Sequence, residues 1–297
     1  KIILGDNKTI ESQNRAIQSG TNSPRIIQNF NRDWKFQLGD YQGASNTVFD
    51  DIEWQDIGLP HSFSIPYFLS PEFYTGYGWY RKHLYISEST NSRCFSLEFE
   101  GVFQVAEVFV NGKMVGTHRG GYNGFSVNIT EALQKGDNVI AVRVNNIWDP
   151  QLAPRAGEHV FSGGIYRDVW LVETATVHVA WYGTFITTPG LSETAGKVAI
   201  KTEIANDGEK PSKGLLKTIV IDPDGNEVAV MESPFSAEPG KIEVVDQTSA
   251  KIRNPKLWSP STPFLYKTKT FVILGNDIAD YCETTFGMRW IEWTADR

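Results

Sequence analysis

Residues Cys94–Asn146 read CFSLEFEGVFQVAEVFVNGKMVGTHRGGYNGFSVNITEALQKGDNVIAVRVNN, and this stretch decides the fold class. Apolar residues such as Leu97 and Phe99 alternate with polar ones, as in a strand with one face in a core and the other in water. The Asn111-Gly112 pair tolerates the positive φ angles that a tight two-residue hairpin requires. The stretch therefore predicts antiparallel β-structure, and alone it contains no catalytic constellation.

Strand-like segments continue on both sides of this stretch, and no helical period lasts longer than a turn or two. The best helical candidate, Thr130–Leu133, is one short turn. After residue 175, about 100 residues hold around seven short strands, which is typical of an immunoglobulin-like sandwich. The Cys…Trp…Cys pattern of antibody domains is missing. The predicted strands are Trp34–Leu38, Trp79–Ile86, Val169–Val172, Val198–Ile204, Leu216–Ile221, Val228–Met231, Ile242–Val245 and Tyr266–Leu274.

Composition limits the function classes. The chain has 297 residues, enough for two domains, and a net charge of −7 without charged blocks, which argues against a nucleic-acid surface. Cys94 and Cys282 fall in different predicted domains, so we expect neither a disulfide framework nor a metal site, and no cofactor is indicated. No apolar run is long enough to span a membrane. A chain beginning at Lys1 suits a mature or trimmed protein, so the compartment is not read directly from the sequence, and a periplasmic or extracellular location is favoured over a cytoplasmic one.

Six segments, taken together and in order, resemble a known family. None is decisive alone, but the sequence is similar to the N-terminal half of glycoside hydrolase family 2, which contains β-galactosidases, β-glucuronidases and β-mannosidases. The similarity runs from about Asn29 to the end of the chain. The segments are Leu59-Pro60-His61, Trp79-Tyr80-Arg81-Lys82, Gly101–Gly116, Ser162–Val169, Asn254–Pro260 and Phe286-Gly287-Met288-Arg289.

The resemblance implies an all-β architecture in which a jelly-roll domain of the sugar-binding type precedes an immunoglobulin-like β-sandwich. We place a lead-in segment at 1–25, the jelly roll at 26–175, the sandwich at 176–288 and the start of a linker at 289–297. In the family this linker enters a (β/α)8 barrel that carries both catalytic carboxylates of a retaining mechanism. We therefore predict no catalytic residue in this chain, and expect the chain alone to be inactive.

The same resemblance implies that a jelly-roll loop contributes to the barrel's active site. Glu158 occupies the position of an acidic residue that contacts a sugar hydroxyl, which a carboxylate does well as an acceptor of charge-assisted hydrogen bonds. The family usually has Asp there, and pairing of Glu158 with Arg155 or Arg167 is the alternative. His159, Trp148 and Phe161 flank this acid, either as a stacking wall for a sugar or as packing residues.

Two further positions bear on the substrate. Some β-galactosidases have a sugar-contacting Asn where this chain has Phe103, and Phe cannot replace an amide hydrogen bond. The next residue, Gln104, points either into the cleft or away from it, and the period-2 count does not decide. His61, Arg167 and Trp258 lie in family motifs, and we expect structural roles for all three.

The leading hypothesis is thus a non-catalytic part of a family 2 glycosidase, most similar overall to β-galactosidases. Its partners would be a β-galactoside or related carbohydrate and its own catalytic barrel. Self-association into a homo-oligomer is left open, and neither nucleic acid nor membrane is expected. The alternative is an autonomous, lectin-like carbohydrate-binding module, and a third class is a purely structural pair of β-sandwiches. The sugar is not readable from this sequence.

Overall fold

The computed structural model describes residues 2–4, 25–65, 73–86, 93–153 and 161–291. The chain forms two compact units. Unit 1 comprises Lys1–Ser19 and Ile26–Glu173, and unit 2 comprises Gly20–Arg25 and Thr174–Arg297. Within the described residues the chain therefore passes between the units at residues 25–26 and at residues 173–174.

Unit 1 contains thirteen strands within the described residues and one turn of 3-10 helix, Thr130–Ala132, where the sequence predicts its only helical turn. The strands are β1 (Ile2–Leu4), β2 (Ile26–Asn29), β3 (Trp34–Leu38), β4 (Gln55–Ile57), β5 (Tyr77–Ile86), β6 (Arg93–Phe99), β7 (Val102–Phe103), β8 (Val105–Val110), β9 (Lys113–Arg119), β10 (Phe125–Asn128), β11 (Gly136–Asn145), β12 (Gly164–Ile165) and β13 (Val169–Ala175).

Two antiparallel sheets build unit 1. The larger has the order β4-β3-β5-β11-β8-β9, with β1 also paired to β5, and the smaller has the order β10-β6-β13-β2. Their inward residues form one apolar core: Leu97 from the small sheet and Val108 and Val142 from the large sheet are all 0% exposed. This is the predicted jelly-roll sandwich, and alternation of side chains explains why strands such as β6 and β8 bury one face.

The hairpin between β8 and β9 forms as predicted. Asn111 has φ 51° and Gly112 has φ 83°, the two positive values that a type I′ turn requires. Within the lead-in segment, Ile2–Leu4 pairs antiparallel with β5, with Ile2 opposite Ile86.

A segment without long strands, residues 40–54, covers the outer face of the large sheet. Arg81 in β5 holds it there: its side chain is 0% exposed and contacts Asp51 at 2.7 Å. The same guanidinium donates to three backbone carbonyls, those of Ala44, Asn46 and Phe49. Asp51 also accepts from His83 at 2.9 Å. Burial alone would raise the pKa of Asp51, but the bonds from Arg81 and His83 outweigh it and lower that pKa.

In its described part, unit 2 contains seven strands of eight residues or more and two of two residues, which agrees with the predicted immunoglobulin-like sandwich. One sheet has the order β14-β16-β19 and the other β18-β17-β21-β22, while β15 pairs with β20. The strands are β14 (Val177–Thr187), β15 (Ala195–Gly196), β16 (Ala199–Asn206), β17 (Ser212–Ile221), β18 (Glu227–Ala237), β19 (Lys241–Thr248), β20 (Ile252–Arg253), β21 (Tyr266–Leu274) and β22 (Asp277–Phe286).

Residues 20–25 belong to unit 2, and Arg25 shows why. Its guanidinium donates to both carboxylate oxygens of Asp280, at 3.0 and 2.7 Å, and to the carbonyl of Val179. Asp280 is 0% exposed and also accepts from the amide of Val179. A buried carboxylate needs such a partner, so Arg25 is part of the structure of unit 2.

The two cysteines lie in separate units, as predicted: Cys94 in β6 and Cys282 in β22. Across the described ranges, His, Cys, Asp and Glu side chains form no group of three that could hold a metal ion. The helical content of those ranges also includes nothing long and apolar enough to cross a bilayer.

Candidate functional site

Four segments of unit 1 meet around the short strand β7 and form what we call the loop end: residues 102–104, 119–124, 145–149 and 161–166. β7 pairs with β12, Phe103 opposite Gly164. The amide of Gln104 donates to the carbonyl of Asn145 at 2.8 Å, and the amide of Gly120 donates to the carbonyl of Gln104 at 2.9 Å. Backbone bonds thus bring together segments that are far apart in sequence.

The side chain of Asn146 connects the loop end to neighbouring segments through hydrogen bonds. Its side chain is 1% exposed, and its amide nitrogen donates to the carbonyls of Tyr74 at 3.0 Å and Phe161 at 2.7 Å. Its amide oxygen accepts from the backbone of Gly76 at 2.9 Å. One buried amide therefore fixes three chain segments, because each of its polar atoms has a partner.

Phe103 forms the floor of the loop end. It is 4% exposed, and its ring lies 5.8 Å from the rings of both Tyr122 and Phe161. A Cβ atom at Gly121 would lie 2.1 Å from the Phe103 ring, so only glycine fits there. The hydroxyl of Tyr166 donates to the carbonyl of Gly121. Phe103 is therefore a packing residue in this structure.

Gln104 is also buried, at 1% exposure, and its side-chain amide donates to the carbonyl of Ile147. That bond supports the segment that carries Trp148. The side chain of Trp148 is 53% exposed. The structure thus brings Gln104 and Trp148 to the same place but gives them different surroundings: the first is enclosed and the second faces solvent.

Tyr122 is a second exposed aromatic residue of the loop end, at 60% exposure. Sequence reasoning missed it, although an aromatic residue in the glycine-rich turn Gly120-Gly121-Tyr122-Asn123-Gly124 is a usable signal. A turn of this kind exposes its central side chain, and an exposed aromatic ring on a loop is a common carbohydrate or protein contact.

The described acids of the loop end are paired. Asp149 accepts from Arg119 at 2.6 Å. Glu100, beside it in the fold, accepts from Arg167 at 3.2 Å and from the indole of Trp170 at 3.0 Å. Both carboxylates accept hydrogen bonds from arginine side chains and are therefore part of the structure of this surface.

His61 and the glycine pair beside it lie under the loop end. Its Nδ1 is 2.9 Å from the hydroxyl of Tyr80, and its ring packs 4.6 Å from that of Phe36. Burial lowers the pKa of His61, which keeps the ring neutral and suits a packing role. Gly164 has φ +136°, and a Cβ there would lie 2.5 Å from the His61 carbonyl, which explains the Gly-Gly motif.

The remaining predicted residues either lie outside the described ranges or make contacts that the structure shows. Glu158 and His159 lie outside the described residues. Arg167 contacts Glu100 with 60% of its side chain exposed. Trp258 packs within unit 2, where the guanidinium of Arg289 lies 4.9 Å from its ring.

Comparison with known proteins gives the same order of parts. Residues 44–175 match the family model described as glycosyl hydrolases family 2, sugar binding domain. Residues 177–289 match a second model described as glycosyl hydrolases family 2. Each match falls almost wholly in one of the two units.

Individual relatives are enzymes of two kinds. A β-galactosidase of Bacteroides ovatus is 35% identical over 90% of this chain and 32% of its own length. A putative β-glucuronidase of Formosa agariphila is 33% identical over 91% of this chain and 32% of its own. The crystal structure of a Bacteroides uniformis β-glucuronidase superposes with a TM-score of 0.85 at 31% identity, covering 90% of this chain and 32% of that one. The chain thus spans about a third of the length of these relatives.

Proposed function

This chain belongs to glycosyl hydrolases family 2, and from that premise we propose that it is the non-catalytic N-terminal part of a retaining β-glycosidase. The longer enzyme hydrolyses O-glycosidic bonds, with a β-galactoside as its substrate and a β-glucuronide as the alternative. One observation carries the proposal: two models of the same family match the two units in order. The preference for galactoside follows the β-galactosidase of Bacteroides ovatus.

The chemistry of a retaining glycosidase supports a division of labour. It requires two carboxyl groups about 5–5.5 Å apart, one as nucleophile and one as acid and base. Asp149 in the loop end forms an ion pair with Arg119, and Glu100, just before the loop end in sequence, forms one with Arg167. This chain therefore shapes the substrate cleft, and a (β/α)8 barrel in the longer enzyme supplies the reacting acids.

Within that role, Trp148 and Tyr122 are the described side chains that present rings to a sugar. A pyranose stacks on an aromatic face through its C–H groups, and a half-exposed ring on a fixed loop is preorganised for this contact. Gln104 acts on Trp148 indirectly, by holding the Ile147 carbonyl. Glu158 and His159 remain part of the proposal as hydroxyl-binding residues on the neighbouring segment.

The first experiment assays the purified chain with chromogenic β-galactoside and β-glucuronide substrates. We expect no turnover of either, because the catalytic pair is supplied elsewhere. Release of chromophore above the rate of a heat-denatured sample would refute the proposal that the chain is non-catalytic.

The second experiment uses the longer enzyme and the variant Trp148→Ala. Loss of a stacking contact worth about 1 kcal/mol is expected to raise KM about fivefold and to leave kcat nearly unchanged. Trp181→Ala is the matched control, since Trp181 is a 39% exposed tryptophan in unit 2. Equal kinetics for Trp148→Ala and the control would remove Trp148 from the site.

The exposed pair Tyr122 and Trp148 also favours a second candidate, an autonomous carbohydrate-binding module. Calorimetry of the chain with galactose, glucuronic acid and mannose separates the two. A module binds one of these sugars with at least millimolar affinity, about 4 kcal/mol, and loses it in Tyr122→Ala and Trp148→Ala. Our proposal predicts no measurable heat with any of the three.

A further inference from the structure

The core of unit 2 contains a row of buried polar side chains, which we call the polar belt: Thr202, Thr218, Gln247 and Thr270. Three of these residues are 0% exposed and Gln247 is 4% exposed. They are set among apolar neighbours. Such residues are normally found at the surface or fully hydrogen-bonded.

Strand register places these residues at one level of the sandwich. In one sheet, Thr270 lies opposite Thr218 on one side and Cys282 on the other. In the facing sheet, Thr202 lies opposite Thr184. The Cys282 thiol adjoins the hydroxyls of Thr184 and Thr270, so the two sheets meet along this level.

The polar belt separates two apolar clusters. On one side of it lie residues such as Ile204 and Leu216, and on the other side Ile200 and Val220. Gln247 crosses between the sheets and donates to the carbonyl of Leu216 at 3.0 Å. The belt is thus a continuous interruption of the core and not a set of unrelated positions.

The hydrogen-bonding capacity of the belt is largely unused. The hydroxyls of Thr202, Thr218 and Thr270 and the side-chain oxygen of Gln247 have no hydrogen-bond partner, and only one other buried side-chain atom in the described part of the chain shares this state, Nε2 of His118. A buried polar atom without a partner is strongly unfavourable, and four at one level call for a common ligand.

We infer that the polar belt is a binding site for internal water, with one or two molecules bridging the threonine hydroxyls and the Gln247 oxygen across the sandwich. Water fits because it can both donate and accept, and the Gln247 oxygen only accepts while each hydroxyl does either. A buried water typically makes about three hydrogen bonds, so four groups suffice for one or two molecules. All four groups are neutral, which favours water over an ion.

Substitution of each threonine by valine tests the inference, because bound water and unpartnered hydroxyls predict opposite changes in melting temperature. Valine matches threonine in shape but lacks the hydroxyl. If each hydroxyl binds water, then Thr202→Val, Thr218→Val and Thr270→Val each lower the melting temperature of unit 2 by about 4 °C. If the hydroxyls have no partner, the same changes remove an unfavourable group and raise it, and the inference is overturned.

Thr268→Val is the control that shows how much the melting temperature falls when a hydrogen-bonded threonine hydroxyl is removed. Thr268 is also 0% exposed, but its hydroxyl donates to the carbonyl of Thr284 at 3.3 Å, so its loss lowers the melting temperature in either case. A direct measurement complements the variants: oxygen-17 relaxation dispersion of the intact chain counts long-lived internal water. We expect one or two fewer long-lived molecules in the triple valine variant, and an unchanged count would contradict the inference even if the variant is less stable.

Discussion

Arg81 and Lys82 are neighbours in β5 whose side chains point to opposite faces of the large sheet, and both are 0% exposed. Arg81 lies under residues 40–54, while Lys82 enters the core. The ammonium of Lys82 lies 4.5 Å from the centre of the Phe30 ring and donates to the carbonyl of Arg32. Two adjacent buried cations make this short segment sensitive to single substitutions.

Arg81→Lys is expected to reduce the stability of unit 1 by about 3 kcal/mol, because an ammonium cannot serve Asp51 and three carbonyls at once. Urea denaturation measures the effect. The control is Arg119→Lys, in an ion pair whose arginine is 58% exposed, where we expect a change of about 0.5 kcal/mol or less. Similar losses in both variants would show that the enclosure of Arg81 is unimportant.

Lys82 makes a pH-dependent contribution. Burial lowers its pKa to about 8 from an ordinary 10.5. Below pH 8 both folded and unfolded chains carry the proton, so the cost of burying the charge is constant. Above pH 8 the folded chain releases the proton first, and stability therefore rises with pH, by about 3 kcal/mol up to pH 10.5.

The measurement compares the wild-type chain with Lys82→Met by urea denaturation at pH 7, 8.5 and 9.5. As pH increases, the free energy of unfolding of the wild-type chain should increase relative to that of the variant. A difference that stays constant over this range would show that Lys82 keeps its proton in the folded chain.

The sequence could not indicate that Arg81 and Lys82 are buried. The strand at Trp79–Ile86 is predicted correctly, but Arg81 and Lys82 are adjacent, so alternation places them on opposite faces and gives no sign that both are buried. The wet face of this strand is covered by residues 40–54, whose carbonyl acceptors leave no mark on the side-chain pattern. Gln104 was undecidable for a related reason, since β7 is only two residues long and a period of two cannot be counted there.

At the scale of elements, Asn146 directly follows β11 and joins the loop end to residues 74–76. Asn146→Ala leaves the carbonyls of Tyr74 and Phe161 and the amide of Gly76 without their partner, and we expect a loss of about 3 kcal/mol. Hydrogen exchange should show faster exchange at Gly76. Asn123→Ala, an exposed asparagine of the same unit, should change stability by about 0.5 kcal/mol or less. Unaltered exchange at Gly76 would mean that other contacts hold the loop end.

Elements with local signals were predictable and those without were not. The hairpin at Asn111-Gly112 and the strand Tyr266–Leu274 form as the sequence predicts. β14 was not predicted, because its register shifts between Val179 and Thr184 and the alternation is lost there. The pairing of β7 with β12 is a long-range contact, so no local pattern could reveal it.

At the scale of the whole chain, each unit buries apolar clusters of its own. Calorimetry should therefore show two unfolding transitions. Arg81→Lys should lower the melting temperature of one transition, and Asp280→Asn, which weakens the largely buried pair with Arg25, should lower that of the other. One transition that both variants shift equally would show that the units unfold together.

The order of the two units followed from the resemblance of six motifs, none of which describes how residues before Asn29 are used. The side chain of Arg25 pairs with Asp280, which follows it by 255 positions in the sequence. Distant ion pairs of this kind become visible only in three dimensions. The site was predictable to the level of a segment, near Trp148, and not to the level of which side chain faces outward.

The anchoring of Arg25 has a practical consequence for anyone who trims this gene. A recombinant piece cut at residue 44, where the family match begins, would discard Phe30 and Trp34, both 0% exposed, together with the cation that neutralises Asp280. This one truncation would therefore destabilise both units. Unit 1 would have a cavity in its core, and unit 2 would have a buried carboxylate that has lost the Arg25 guanidinium. Expression boundaries should be set upstream of Arg25.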